Sequence, residues 1–550
     1  MNNKYNFQEP VIIIGAGSVG LSLAAELSWR GINCILYEKN SCLNQHPRAN
    51  AVANRTMEYY RRWGVDKYIS HAGIPPDHPA DYYWVSSLHG RELHRVSMPA
   101  FKKIKEIQYL DSKVQEEHTW SPYLKTITGQ NEVEEIIYNY ICSSKLVDVY
   151  FENELIDFKQ SDGGVHCTIK NIKSDKIENI KGKFLLACDG GRSFVREKLG
   201  IKLNGRANLA RFVSIYFKAP NLMECHKFGA ANIFFPLHID YAGFLLNWDG
   251  GKTFTYHLML KEGQNWDDVD PTFSIESLLG QKTPIEIITV QPWTAHALVA
   301  EKYRHNNVFL VGDAAHLFSP TGGFGMNTGV SDAIDLAWKI QAMLEGWGGK
   351  SLLDSYFAER HSIGIRNTKE AADCFDQLYS VMQYGDELED DSTEGKELRA
   401  NLSIKLKEQD KLIASSGTLL GYRYTSSPIV ISDGTPETKD NPRKYIPTAR
   451  PGHRAPHIWL KEGVSILDIL GKNFSLLVFN INIQDLVAFK SAAKKLNFPL
   501  KVIHVENSEA AKLYEYNLVL VRPDMMVAWR SNSVPKNPCK ILKIVSGSKH

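Results

Sequence analysis

The chain has 550 residues, 43% of them hydrophobic and 23% charged, with a formal net charge of +2. That length predicts about three domains, and the near-neutral balance gives no electrostatic reason for a nucleic-acid or anionic-membrane partner. The eight cysteines (Cys34, Cys42, Cys142, Cys167, Cys188, Cys225, Cys374 and Cys539) are scattered, with no CxxC and no metal-type pairing. They predict reduced thiols, a cytoplasmic location and no bound metal.

The opening MNNKYNFQEP is polar and lacks a basic start followed by an apolar core, so no signal peptide is expected. Residues 11–27 form the longest apolar stretch, but Gly15, Gly17, Ser18, Gly20, Ser22 and Glu26 interrupt it. It is too short and polar to span a bilayer, and no transmembrane helix is expected. Within it, VIII at residues 11–14 suits a buried parallel strand. GAGSVG follows with Gly15, Gly17 and Gly20 at GxGxxG spacing, then the apolar helix LSLAAELSWRG ending at Gly31. A second strand over residues 33–37 leads to Glu38 and Lys39. Strand, glycine turn, helix, strand and acid in this register predict a dinucleotide site. Gly15 permits the turn, Gly17 lets the backbone approach a pyrophosphate, and Gly20 lets helix and strand pack. Amides at the helix start, around Ser18 and Val19, face the phosphates, and Glu38 accepts from the adenosine ribose. The unit does not identify which dinucleotide binds.

Three later stretches are ambiguous one at a time. HPRANAVANRTMEYYRRWG (46–64) sets Arg48 and Arg55 where the chain enters an aromatic-rich helix, and GQNEVEEIIYNYI (129–141) puts Gln130 near a helix start. KGKFLLACDGGRSFVREKLG (181–200) reads as a strand over 184–188, an Asp189-Gly190 turn and a helix carrying Ser193 and Arg196. A surface cation, a helix cap and a plain turn would serve equally well. GDAAHLFSPTGGFGMNTGVSDAIDLAWKI (312–340) then places a strand end, Asp313, a proline and several glycines ahead of an amphipathic helix. Ala333, Leu336, Ala337 and Ile340 repeat at helical period and belong to a core. His316 reads as a structural histidine in a turn.

Taken in order, these motifs resemble the FAD-dependent aromatic-ring hydroxylases, the single-component flavoprotein monooxygenases typified by para-hydroxybenzoate hydroxylase. The resemblance covers roughly the first 400 residues and is nearest the phenol and chlorophenol monooxygenases, which carry an extra C-terminal domain. It implies an α/β fold with a Rossmann-type FAD-binding domain (8–80, 105–200 and 285–400) and an inserted, mainly antiparallel β-sheet substrate domain (81–104 and 201–284). A linker (401–453) and a thioredoxin-like domain (454–550) complete the division. The resemblance further implies non-covalent FAD, with NADPH or NADH and O2 as co-substrates. On that reading Asp313 bonds the ribityl chain, and Pro320, Gly322 and Gly323 form the loop beside flavin and substrate. Gly325, Met326 and Asn327 open the helix whose positive end faces the flavin pyrimidine edge. Arg48 and Gln130 hold FAD, and Asp189 supports pyrophosphate and nicotinamide-nucleotide binding. Two positions depart from the family: Ser319-Pro320 stands where Pro-Pro is common, and Asp335 where Asn is usual. The first is expected to alter the substrate-side loop, the second to lie on a helix surface.

Residues 211–218, 231–237, 243–248 and 253–260 read as strands of the substrate domain. By family analogy the pocket candidates are Phe234, Phe235, Phe244, Leu246, Asn247 and Trp293, an aromatic-lined slot. No pair of arginines stands out to clamp a carboxylate, which favours a neutral phenol or larger polyphenol or polyketide over a benzoate. The implied reaction is NAD(P)H- and O2-dependent ring hydroxylation through a flavin hydroperoxide, with no side-chain nucleophile. Epoxidation or Baeyer–Villiger-type oxygenation of a natural product is the alternative, although the FxGxxxHxxxW and WxWxIP runs are absent. A non-catalytic FAD-fold binding protein is a third reading, opposed by the intact glycines, Glu38, Asp189 and Asp313.

Further on, residues 354–384 read as helical, 386–397 as an exposed acidic stretch and 433–453 as a linker rich in Pro, Gly, Asp and Thr. Strands over 474–480 and 500–505, a helix over 485–496 and a hairpin of 518–520 with 526–529 resemble a thioredoxin-like domain. Without CxxC it cannot exchange dithiols, and a role in interaction or in stabilising a homodimer is expected. His453 and His457 are four apart, but Gly452 and Pro456 argue against a helical metal face.

Overall fold

The computed structural model describes residues 9–98, 100, 102, 119–409 and 413–548. The domain limits drawn at residues 8, 104–105 and 550 lie outside the described residues. Val11–Ile14 sits inside a six-stranded sheet ordered Arg304–His305, Val308–Leu310, Leu185–Ala187, Val11–Ile14, Cys34–Tyr37, Val147–Tyr150. Neighbours are parallel except Arg304–His305, which folds back on Val308–Leu310. A strand covered on both faces needs the continuous apolar run seen at residues 11–14. Helix Ser18–Arg30 packs behind it and stops at Gly31, whose φ of 88° no β-branched residue tolerates. A Cβ on Gly20 would lie 1.9 Å from the Gly15 carbonyl oxygen, so the helix can enter this close to the turn only with glycine there.

The second sheet has eight strands, ordered His316–Leu317, Glu286–Ala300, Leu203–Lys218, Thr253–Met259, Gly243–Asn247, Ile233–Pro236, Tyr82–Val85, Glu92–Val96. It is antiparallel apart from the Ile233–Pro236 and Tyr82–Val85 pair. Glu286–Ala300 pairs along Leu203–Lys218, so it extends this sheet beyond the limit drawn at residues 284–285. Its mixed polar and apolar composition hid the strand. Alternation divides the sheet into two faces. Val213, Ile215, Phe217, Phe234, Leu245 and Tyr256 pack with Ile275 and Leu278 of helix Pro271–Leu279. Tyr82, Trp84, Ile233 and Leu246 share the other face with Leu378 near the end of helix Leu352–Tyr379, with Met382 just beyond that helix, and with Leu402.

The C-terminal sheet runs Leu500–His504, Phe474–Val478, Leu518–Val521, Val527–Ser531, one parallel pair followed by two antiparallel ones. Phe489 and Ala492 of helix Val487–Lys495 and Leu542 of helix Pro538–Val545 share its core with Trp338 and Trp347. Residues 421–458 carry no helix, and the stretch read as a linker is packed: Tyr422, Tyr424, Tyr445 and Ala449 are buried, as is Arg454 just past its limit. Arg454 donates to Glu58 of helix Asn54–Trp63, which also pairs with Arg55.

Asp335 is not on the helix surface. It is 1% exposed and lies between Lys339 Nζ at 2.7 Å and Arg522 at 2.9 Å. Lys339 also reaches Glu359 at 2.6 Å, and Arg522 reaches Glu359 at 2.5 Å and Asp524 at 2.6 Å. Helix Gly325–Leu344, helix Leu352–Tyr379 and the C-terminal hairpin therefore meet at five buried charges. Removing Arg522 would leave three buried carboxylates, Asp335, Glu359 and Asp524, to the single cation of Lys339 in a medium of low polarity. Arg522→Leu is expected to destabilise the chain by about 3–5 kcal/mol, read as a fall in the urea midpoint. An unchanged midpoint would show that the cluster does not hold the C-terminal sheet in place.

Candidate functional site

A cavity of about 1420 Å³ lies between the glycine turn of the first sheet and one face of the second. Single drug-sized ligands occupy about 300–1,000 Å³, so this space suits a large cofactor together with a second molecule. Gly15, Gly17, Ser18, Val19, Glu38, Lys39, Arg48, Gln130, Asp189, Asp313, Gly325 and Met326 all line it, as do Pro320, Gly322 and Gly323. Gly20 and Asn327 do not. Gly20 is used up in packing against the turn. Asn327 is buried as a clamp: its Oδ1 accepts from Ala53 N at 2.8 Å and Thr56 Oγ1 at 2.7 Å, while its Nδ2 donates to Ala51 O at 3.0 Å and Gly323 O at 2.8 Å.

At one end, helix Ser18–Arg30 begins at Gly17 with no side-chain cap from that residue. A Cβ on Gly17 would find only Glu134 Oε1, at 3.9 Å, so the backbone there is open to the cavity. Glu38 accepts from Ala16 N at 2.8 Å and Asn40 N at 2.9 Å, which braces the turn. Glu134 was missed from the sequence. Its Oε1 accepts from Ser18 N at 2.9 Å, Ser18 Oγ at 2.8 Å and Gln130 Nε2 at 2.7 Å, and burial pushes its carboxyl up. The available signal was spacing, since residues four apart on helix Gln130–Cys142 share a face. Asp189 accepts from Val195 N at 3.1 Å through Oδ2, while Oδ1 is buried with no partner among the described residues.

At the middle, the Gly312-Asp313 turn is held by Asp332. Asp332 Oδ2 accepts from Gly312 N at 3.2 Å and from His316 Nε2 at 2.7 Å; Oδ1 accepts from Arg360 Nε at 2.6 Å. Burial alone would raise this carboxyl, but Arg360 and His316 hold it below the usual range. His316, fully buried, is thus a brace for the turn. Asp313 differs in kind. Its side chain faces the cavity, makes no protein hydrogen bond among the described residues, and is pushed up by the surrounding protein despite His316 and Arg48 nearby. Beyond it, Gly322 has φ 84°, and a Cβ there would meet the Phe324 ring at 2.5 Å. Ser319 Oγ and Thr321 Oγ1 each donate to Ala371 O at 2.7 Å, which ties the loop to helix Leu352–Tyr379.

On the second sheet, Phe235, Phe244, Leu246 and Trp293 line the cavity, with Phe212, Ser214 and His257 beside them. Phe234 does not. Neighbouring residues of a strand point to opposite faces, and Phe234 stacks on Tyr83 at 5.4 Å on the far side. Asn247 also misses the cavity, because Nδ2 donates to Ala231 O at 3.0 Å and Oδ1 accepts from Gly250 N at 3.2 Å. His46, not singled out from the sequence, joins the sheets: Nδ1 meets Thr289 Oγ1 at 2.5 Å and Nε2 meets Ser214 Oγ at 2.7 Å. Burial, reinforced by Arg48, pushes this imidazole down to about 4. Among the described residues no helix is long and apolar enough to cross a membrane, and no three His, Cys, Asp or Glu side chains are placed to hold a metal ion.

An open helix N-terminus, a glycine cradle, the orphaned Asp189 oxygen and the unbonded Asp313 fit a nucleotide with a pyrophosphate and a polyhydroxyl chain. Comparison with known proteins agrees. Residues 8–371 match the family model of an FAD binding domain, and residues 448–543 match the C-terminal domain of aromatic-ring hydroxylases. An aklavinone 12-hydroxylase from Streptomyces purpurascens is 28% identical, over 97% of this chain and 97% of its own. A 2,4-dichlorophenol 6-monooxygenase from Delftia acidovorans is 26% identical, over 96% of each. The rebeccamycin biosynthetic enzyme RebC, solved with reduced flavin, is 31% identical with a TM-score of 0.87, over 98% of this chain and 99% of that one. The chain belongs to the family of FAD-binding aromatic-ring hydroxylases.

Proposed function

We propose that this protein is a FAD-dependent monooxygenase that hydroxylates a phenolic or polycyclic phenolic ring, with NADPH or NADH as reductant. One observation carries the reading: the nucleotide-binding turns and an aromatic wall built of Phe235, Phe244 and Trp293 open into the same cavity. Relatives named for hydroxylating aklavinone and oxygenating dichlorophenol support ring hydroxylation over epoxidation or Baeyer–Villiger chemistry. The intact cofactor turns weigh against a non-catalytic binding protein. Eight unpaired cysteines fit a reducing, cytoplasmic setting.

When bound and reduced, FAD supplies the activation of O2; the chain supplies binding, orientation and dryness. The amides at Gly17 and Val19 receive the pyrophosphate, Glu134 already holding the Ser18 amide between them, and Arg48, without an ion pair among the described residues, adds a cation to the same cavity. Asp313 accepts hydrogen bonds from the ribityl hydroxyls. The N-terminus of helix Gly325–Leu344 stabilises negative charge on the pyrimidine edge without a mobile cation. Trp293, stacked on Phe212 at 4.4 Å, and Phe244 form the wall that excludes water from the reacting ring.

Asp313→Ala is expected to weaken FAD binding by about 1.5–3 kcal/mol, the range for a hydrogen bond to a charged group. Flavin occupancy, read from the visible spectrum, should fall while the far-UV circular dichroism stays unchanged. Equal affinity in the variant would remove Asp313 from the cofactor site. Flavin should also leave the wild-type chain on denaturation and precipitation, since its binding is non-covalent.

Reductant oxidation by the holoenzyme is expected to be slow alone and faster with a phenolic substrate, because an empty wet site wastes reductant as peroxide. Trp293→Ala should raise peroxide released per NAD(P)H more than it slows flavin reduction. Stopped-flow reduction with a parallel peroxide assay across a phenol panel checks this. Reduction equally fast with and without every phenol, in a tightly coupled Trp293→Ala enzyme, would overturn the proposal.

A further inference from the structure

We propose that His257 is a fixed hydrogen-bond donor to an oxygen on the substrate ring, locked in that role by Trp293. The inference rests on the hydroxylase reading for its substrate class, aromatic compounds with a hydroxyl or carbonyl oxygen directed at the second sheet. His257 lies on the cavity face of strand Thr253–Met259 and is 5% exposed. Trp293 Nε1 donates to His257 Nδ1 at 3.3 Å. An indole N–H can only donate, so Nδ1 must hold its lone pair, and a neutral imidazole then carries its proton on Nε2. Burial, with His46 as a second cause, pushes the ring down to about 3, so it is neutral at ordinary pH.

Neither ring can turn to exchange these roles freely. The imidazole stacks on Phe244 at 4.3 Å with 27° between planes, and the indole stacks on Phe212 at 4.4 Å with 8° between planes. Nε2 has no partner among the described residues, yet it is not sealed from the cavity. The nearby Ser214 hydroxyl is already engaged by His46. An unpaired N–H in an aromatic wall penalises any ligand that covers it without an acceptor, and rewards one that brings an oxygen. Holding that oxygen also fixes which ring carbon is turned toward the cofactor side of the cavity. His257 is therefore a positioning residue for the site of hydroxylation.

The test uses FAD-loaded enzyme and two probes of one shape, 1-naphthol and naphthalene, titrated by the perturbation of flavin absorbance. Wild-type enzyme is expected to prefer 1-naphthol by about tenfold. His257→Phe should abolish that preference by weakening 1-naphthol alone, and His257→Gln, which keeps a side-chain N–H, should restore most of it. In ¹⁵N-histidine spectra the resonance that His257→Gln removes should report a bare Nδ1 and a protonated Nε2, and Trp293→Phe should release that tautomer. No preference in wild type, equal weakening of both probes in His257→Phe, or a proton on Nδ1 would overturn the proposal. A persisting preference with no phenol stimulating NADPH oxidation would leave the donor standing and remove the hydroxylase reading instead.

Discussion

The Asp332 carboxylate is the point on which the site converges. It is fully buried, and a carboxylate in that position costs several kcal/mol unless it is paired and hydrogen-bonded. Arg360 provides the charge, His316 and the Gly312 amide provide further donors, and the backbone turn that presents Asp313 is fixed as a result. Arg360 also donates to Thr328 O at 3.1 Å and to Tyr424 at 3.2 Å, so the same cation anchors the helix after the loop and the chain segment beyond it. Its neighbour Glu359 turns the other way, to Lys339 and Arg522. Two consecutive residues of one helix thus hold the cofactor turn on one side and the C-terminal sheet on the other.

Asp313 and Asp332 show how environment assigns roles to one residue type. Asp332 is buried and Asp313 is open to the cavity; the first has two cationic partners in contact and the second has none among the described residues. The paired carboxylate is spent on the fold. The unpaired one carries an unmet demand for donors, which is what a ligand with several hydroxyls can satisfy. The same contrast separates Ser214, whose hydroxyl is occupied by His46, from His257, whose outer nitrogen is free among the described residues.

Features set by local spacing were legible in the sequence. The glycine turn, its helix and the alternation of the substrate strands follow from neighbours a few residues apart, so they appear where expected. Features set by distant pairing were not. Ser18 and Glu134 are 116 residues apart, and Asp335 and Arg522 are 187 apart. Nothing near Asp335 announces an arginine in the C-terminal hairpin, and a lone acid on an amphipathic helix reads as solvated. Phe234 is a different failure. Its strand was recognised, but a strand of alternating faces cannot send both Phe234 and Phe235 to one cavity, and only the register with Tyr83 and Trp84 decides between them.

The eight-stranded sheet separates two kinds of constraint along a single stretch of chain. Val213, Ile215, Leu245 and Tyr256 answer to a packed core, while Phe212, Ser214, Leu246 and His257 answer to whatever occupies the cavity. Change at the cavity-facing positions can therefore alter the molecule that is accepted without entering the core on the opposite face. Descent within such a fold can diversify chemistry at nearly constant shape, and libraries confined to the odd or the even positions of these strands would explore ligand choice and stability as independent variables.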